Sequence, residues 1–161
     1  MKLTQTKLKE LMQYNPTTGL FTRLITRGRL GKIGRIAGHT QKIGYVSIGI
    51  GGLEYKAHRL AWLYMTGKWP RGSLDHKNCI KADNRWSNLR RASRSQNGAN
   101  RSHQTSSKLR LKGVCPRRDK FIAQITVNQN VIYLGIFKTK QLAHKAYRDA
   151  AKKYHGQFAR A

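Results

Sequence analysis

Asp75-His76, followed by Asn88 and then Asn97, is the set of side chains in this sequence best suited to chemistry. A carboxylate sits beside an imidazole, and two carboxamides follow at set intervals. The chain carries only six acidic residues against thirty-three Lys and Arg. A carboxylate so scarce, placed next to a histidine, is a candidate for holding a cation where the rest of the chain repels one. Hydrolysis of a phosphodiester needs a nucleophilic water, a base to deprotonate it, and a cation to stabilise charge on the phosphorane and the leaving oxygen. Histidine is suited to be the base near neutral pH. A hard cation such as Mg²⁺ takes oxygen ligands, often one or two from protein, with phosphate and water completing the shell. Asp75 offers a carboxylate and Asn97 a carbonyl oxygen. Neighbours in a strand point to opposite faces, so Asp75 and His76 can serve one site only at a strand end or bend. An Asp-His pair alone is more often a turn or a surface hydrogen bond. The ordered Asn positions reverse that weighting.

The formal charge of +27 on 161 residues names the partner class. Such a surface repels itself unless a polyanion neutralises it, and nucleic acid does so through phosphate contacts and counterion release. A membrane partner is not expected, because no segment approaches the roughly 18 apolar residues of a spanning helix. The start, Met1-Lys2-Leu3-Thr4-Gln5, lacks the apolar stretch of a signal peptide. Cys79 and Cys115 lie far apart and form no C-x-x-C pair, which points to a reducing, cytoplasmic setting without disulfides or structural zinc.

The elements that must position these residues are read from pattern. Thr4 to Tyr14 predicts a short helix ended by Asn15-Pro16, and residues 20 to 24 predict a strand. Residues 25 to 43 read as loops or a basic ribbon. Residues 45 to 50, Gly51-Gly52 and residues 53 to 57 form a hairpin pattern. Residues 58 to 65 predict a helix closed by Thr66-Gly67. Residues 74 to 79 predict the first strand of the site, residues 87 to 93 a short helix, and the polar residues 95 to 107 a linker. Beyond it, residues 112 to 115, 120 to 126 and 131 to 137 predict three short strands, with a turn at Asn128-Gln129-Asn130. Residues 141 to 154 predict an amphipathic helix with Ala143, Ala146, Tyr147, Ala150 and Ala151 on one face, ended by Gly156. His58, at a helix start beside Arg59, reads as a packing or hydrogen-bonding residue. Asp83-Asn84 reads as a structural turn, and Trp62, Trp69 and Trp86 as core.

Leu74-Asp75-His76-Lys77-Asn78, Asp83-Asn84-Arg85, Ser87-Asn88-Leu89-Arg90 and Ser95-Gln96-Asn97, in that order, resemble the ββα-metal core of phage-type HNH homing endonucleases over roughly residues 57 to 101. The resemblance implies that Asp75 and Asn97 bind the divalent metal, that His76 is the general base, and that Asn88 orients the His76 loop by hydrogen bonds across the finger. It also implies products with a 5′-phosphate and a 3′-hydroxyl.

Lys112-Gly113-Val114, Arg117-Arg118, residues 121 to 125, residues 133 to 137 and residues 143 to 147 resemble the APETALA2/ethylene-response DNA-binding domain of plant factors, over about residues 109 to 160. That resemblance implies three antiparallel strands backed by one helix, with the sheet in the DNA major groove. By position, Lys112, Arg117, Arg118, Lys120, Gln124, Thr126 and Tyr133 are the contacting residues. Cys115, Thr126 and Val131 stand where the plant domain has arginines, so the target sequence should differ. Arg23, Arg27 and Arg29, with Lys32, Arg35 and Lys42, surround the first hairpin, either as a basic β-ribbon on DNA or as a solvated loop.

The expected fold is α+β: a ββα-metal nuclease core with an N-terminal β-hairpin region, plus a three-stranded antiparallel sheet packed on one helix. The expected domains are residues 1–56, the N-terminal helix and basic hairpin; 57–104, the nuclease core; and 105–161, the DNA reader. The expected function is hydrolysis of double-stranded DNA by a phage homing endonuclease with one divalent metal per chain, Mg²⁺ with Mn²⁺ as the alternative. No obligate protein partner is expected, and a monomer is favoured over a dimer. One rival is a non-catalytic DNA-binding protein that keeps a nuclease fold. The other is a basic RNA-binding protein, which would account for the charge but not for the Asp-His-Asn-Asn set.

Overall fold

The computed structural model describes residues 3–26, 32–100 and 109–159. Helix α1 (Gln5–Leu11) begins where the Thr4 hydroxyl accepts the Lys7 N–H, a side-chain cap on an otherwise unpaired donor. It stops at Met12, whose backbone turns extended, and Met12–Tyr14 becomes strand β1, paired antiparallel with β2 (Phe21–Arg23). The helix expected to run to Tyr14 is therefore shorter. Met12 and Tyr14 alternate inward with the exposed Gln13 between them, a strand periodicity that overrides the helical stripe.

Strands β3 (His39–Thr40), β4 (Val46–Ile50) and β5 (Leu53–Lys56) form a three-stranded antiparallel sheet. Gly51 and Gly52 both have positive φ and make the two-residue turn between β4 and β5. Helix α2 (Ala57–Thr66) follows at once and ends at Gly67 in the left-handed conformation. Leu60, Ala61 and Leu63 of α2 pack with Leu8, Met12, Tyr14, Phe21 and Ile48 in one buried core. Strand β6 (Ser73–His76) pairs with β7 (Leu89–Ala92), and a 3₁₀ turn (Trp86–Asn88) leads into β7. The helix expected over residues 87 to 93 is thus a turn and a strand. After Asn88 the chain re-enters the ladder, because the Asn88 carbonyl accepts the Lys77 N–H at 2.9 Å.

Helix α3 (Arg94–Asn100) occupies the first part of the expected linker. Its start is a reciprocal cap: the Gln96 N–H donates to the Ser93 hydroxyl at 3.1 Å, and the Gln96 side-chain oxygen accepts the Ser93 N–H at 2.7 Å. The rest of the linker, with Arg27 and Arg29 of the basic ribbon, lies outside the described residues.

Strands β8 (Val114–Arg117), β9 (Lys120–Val127) and β10 (Asn130–Phe137) form an antiparallel sheet in the order β10-β9-β8. Helix α4 (Lys140–His155) buries Ala143, Tyr147, Ala150 and Ala151, and packs on this sheet through Ala123 and Ile125. Gly113, at φ +69, lets the chain pass the Tyr147 ring, since a Cβ there would lie 2.0 Å from a ring carbon. The chain divides into two compact units, Met1–Arg91 and Ala92–Ala161. The fold is of the α+β class, small antiparallel sheets with helices. No helix among the described residues is long and apolar enough to cross a membrane.

Candidate active site

His76 is the last residue of β6, so Asp75 and His76 stand where the strand gives way to a turn. Both are about nineteen-twentieths buried, each with 5% of its surface exposed. One oxygen of Asp75, Oδ2, accepts from both Nε (2.9 Å) and Nη2 (2.8 Å) of Arg90, which reaches across from β7. This partner is not legible in the sequence. Arg90 lies fifteen positions downstream and meets Asp75 only because β6 and β7 pair.

The His76 ring meets Asn84, with Nε2 3.4 Å from Asn84 Oδ1. Asn84 donates its own amide to the Ala82 carbonyl at 3.0 Å, which leaves Oδ1 as the acceptor. In the tautomer that donates to this oxygen, Nε2 of His76 carries the proton and the lone pair is on Nδ1. Burial pushes the His76 imidazole below its ordinary range and Lys81 adds to this, while the Asn84 hydrogen bond, Asp75 and Asp83 act the other way. The net direction favours the neutral ring, the form that can accept a proton.

Asn84 is held from a distant part of the chain. Tyr14 Oη donates to its carbonyl at 2.7 Å, and the Trp86 N–H donates to the Pro16 carbonyl at 2.9 Å. A Cβ at Gly19 would lie 2.4 Å from the Arg85 nitrogen, so only glycine allows this approach. The β1–β2 hairpin thus sets the residue that touches the His76 ring. Asn84 reads in the sequence as a turn residue only. Its turn role is present as well, with Asp83 accepting from Arg85 and Asn78. Those bonds, led by the one from Arg85, hold the Asp83 carboxyl down at about 2.

Asn88 spans the loop that follows His76. Its Oδ1 accepts the Asn78 N–H at 3.0 Å, and its Nδ2 donates to Asn78 Oδ1 at 3.0 Å and to the Asp83 carbonyl at 2.8 Å. Asp75, His76 and Asn88 thus come together in the first unit. Asn97 is on α3, in the second unit.

A hard cation suits this donor set. Mg²⁺ is held by one or two protein oxygens, with phosphate and water completing the octahedron, and Asp75 supplies a buried carboxylate at the strand end. Among the described residues, no group of three or more His, Cys, Asp or Glu is placed to hold a metal. Beside His76 lies the Tyr45 ring, 5.9 Å away between centroids, with the ammonium groups of Lys81 and Lys56 over it at 5.1 and 5.8 Å. These cations can attract a phosphate to the side of the imidazole.

In the second unit the residues expected on DNA sort by sheet face. The register pairs Arg117 with Lys120, Gln124 with Tyr133 and Thr126 with Val131. Directly paired residues and every second residue along a strand share a face, so Arg117, Lys120, Gln124, Thr126 and Tyr133 lie on the face opposite α4. All five are exposed. Arg118 is in the β8–β9 turn at φ +53, off that face. Lys112 precedes β8 and donates to the Ala99 carbonyl. Arg23 ends β2, where its backbone N–H donates to the Arg35 carbonyl at 2.9 Å.

Residues 55–99, which contain β6, the turn and β7, match the family model described as HNH endonuclease. No curated protein matches the chain. Among solved structures the chain is similar to the HNH homing endonuclease I-HmuI, from a structure described as DNA binding and cleavage by that enzyme. The two are 20% identical with a TM-score of 0.45, covering 90% of this chain and 85% of that one.

Proposed function

We propose that this protein is a metal-dependent endonuclease that hydrolyses phosphodiesters of double-stranded DNA, with His76 as the general base. The observation that carries the reading is the His76 ring itself: buried, neutral, with Nε2 directed at Asn84, inside the segment that matches the HNH endonuclease model. Nδ1 takes a proton from water as the water oxygen bonds to phosphorus, the bond from phosphorus to the 3′-oxygen breaks, and the departing 3′-oxygen takes a proton from solvent water. The products are a 5′-phosphate and a 3′-hydroxyl. Asp75 and, from the order of the motif, Asn97 are the protein oxygens for one Mg²⁺ or Mn²⁺. When bound, the ion stabilises charge on the phosphate oxygens and the leaving group. Asn88 keeps the loop after His76 in place, and Lys81 and Lys56 draw the phosphate in. Residues 105–161 act as the DNA reader, with the sheet face of Arg117, Lys120, Gln124, Thr126 and Tyr133 laid in the major groove.

One observation favours a second reading, a DNA-binding protein that keeps the nuclease fold without the chemistry. Arg90 already neutralises Asp75, and a metal must share that carboxylate with a guanidinium. Supercoiled plasmid incubated with Mg²⁺ and with EDTA separates the two. Cutting with Mg²⁺ and none with EDTA is expected, and cutting should be lost in His76→Ala. Tight DNA binding with no cutting at any Mg²⁺ or Mn²⁺ concentration establishes the second reading.

A further inference from the structure

His58 has no part in the chemistry just described, yet its setting is not that of a packing residue. It stands in the first turn of α2 with 8% of its surface exposed. Its Nδ1 is the one buried side-chain polar atom without a hydrogen-bond partner among the described residues. An unpaired buried nitrogen is unfavourable, and a phenylalanine would fill similar space without one. Each buried polar atom left open in this way calls for a reason, and a working site, where hydrogen bonds that are loose in the free enzyme tighten once substrate is in place, supplies one.

The position of the ring points the same way. The His58 centroid is 5.1 Å from that of His76, with the rings edge to face at 75°. It is also 5.3 Å from the Tyr45 ring, which in turn faces His76. The three rings meet on one another, and Asn84 engages His76 at Nε2. Burial, with help from His76, Arg59 and Lys56, pushes the His58 imidazole down to about 3, so this ring is neutral near pH 7 and keeps one nitrogen as an acceptor.

We propose that His58 is a positioning residue for His76: its ring nitrogen gains a hydrogen bond to phosphate-bound water when DNA enters, and the tethered ring then locks His76 against Tyr45 in the orientation that takes the proton. The proposal rests on the reading of His76 as the general base. His58 never touches the reacting atoms and no proton resides on it beyond its own.

The test measures kcat and KM for plasmid cutting, and DNA affinity in Ca²⁺, for wild type, His58→Phe, His58→Gln and His76→Ala. Loss of positioning should lower kcat of His58→Phe by about 10–100-fold while KM and affinity stay within about twofold. His58→Gln, which keeps a hydrogen-bonding group, should recover part of kcat. A wild-type kcat in His58→Phe makes the residue packing only and overturns the proposal, and so does a change confined to KM. If His58→Phe does not fold, ¹⁵N-histidine spectra of the wild-type chain decide. The His58 ring signals should shift when duplex DNA and Ca²⁺ are added, and unmoved signals overturn the proposal. Wild-type cutting by His76→Ala defeats the base assignment itself, whereas an inactive His76→Ala beside a fully active His58→Phe defeats only the role of His58.

Discussion

Asp75 and His76 each have 5% of their surface exposed and bond to Arg90 and Asn84, whereas Tyr133 on the sheet is 59% exposed and faces Gln124 across the strand pair. The first region is polar and closed. The second is cationic and open. A base must sit in one orientation to within fractions of an ångström, which fixed hydrogen bonds in a buried setting provide. A surface that follows a phosphate backbone works through many weak, screened contacts, and it must stay in water to reach them. The two regions therefore should fail in different ways.

The sharpest break is expected from His76→Ala. Cutting should fall by about 10²–10⁴-fold, the usual contribution of a positioned base, with DNA affinity and its salt dependence unchanged. Rate and affinity falling together would show that the two regions are not separable. Next in size is Asn88→Ala, which removes three hydrogen bonds from the loop after His76. The rate should drop by about 10–100-fold through a misplaced base, with the Mg²⁺ titration unmoved. A large shift in metal affinity would make Asn88 a ligand instead.

The opposite region breaks at Gly113. A Cβ there would meet the Tyr147 ring at 2.0 Å on a backbone with φ +69, so Gly113→Ala should destabilise the second unit by about 2–4 kcal/mol, the range of overpacking plus backbone strain. Thermal unfolding should show it, with DNA affinity declining first on heating. A milder probe is Arg117→Ala with Lys120→Ala. The slope of log affinity against log salt should become shallower by about 0.9 for each phosphate that the protein no longer neutralises, with the cutting rate at saturating DNA unchanged. An unchanged slope would remove this face from the DNA.

The last effect is one of pH. His58 is held down at about 3, below its unfolded value, so the folded state binds fewer protons there than the unfolded chain. Its share of the stability is intact above the unfolded pKa and is lost as pH falls from about 6.5 toward 3, at up to about 1.4 kcal/mol per pH unit. Melting temperatures between pH 7 and 4 should fall more gently in His58→Phe than in the wild type.

Much of this is legible from pattern. The β4–β5 hairpin follows from Gly51-Gly52 between alternating residues, and α2 from its apolar face closed by Gly67. The three strands and helix of the second unit show in the same way. Two elements escape the pattern for identifiable reasons. Residues 94 to 100 are too polar to announce a helix by periodicity, and the cap between Ser93 and Gln96 is the only local signal for it. Residues 89 to 92 form a strand because β6 lies beside them, which no local propensity reveals. Within the site, the motif residues stand out by type, while Arg90, Asn84 and His58 reach theirs only through tertiary contact.

The bond from Tyr14 to Asn84 joins residues seventy positions apart, and those from Trp69 to Leu3 and from Gln5 to Tyr64 span sixty-six and fifty-nine. A chain emerging from the ribosome makes its first hairpin, two strands of three residues each, long before the partner that closes on it exists. Such short strands are marginal alone, and contacts of wide sequence separation form late and slowly. The first unit therefore closes as one cooperative event, after synthesis has passed Asn84. Until then His76 lacks the contact on its ring, and the unfinished chain carries its Asp-His pair without the residue that orients it.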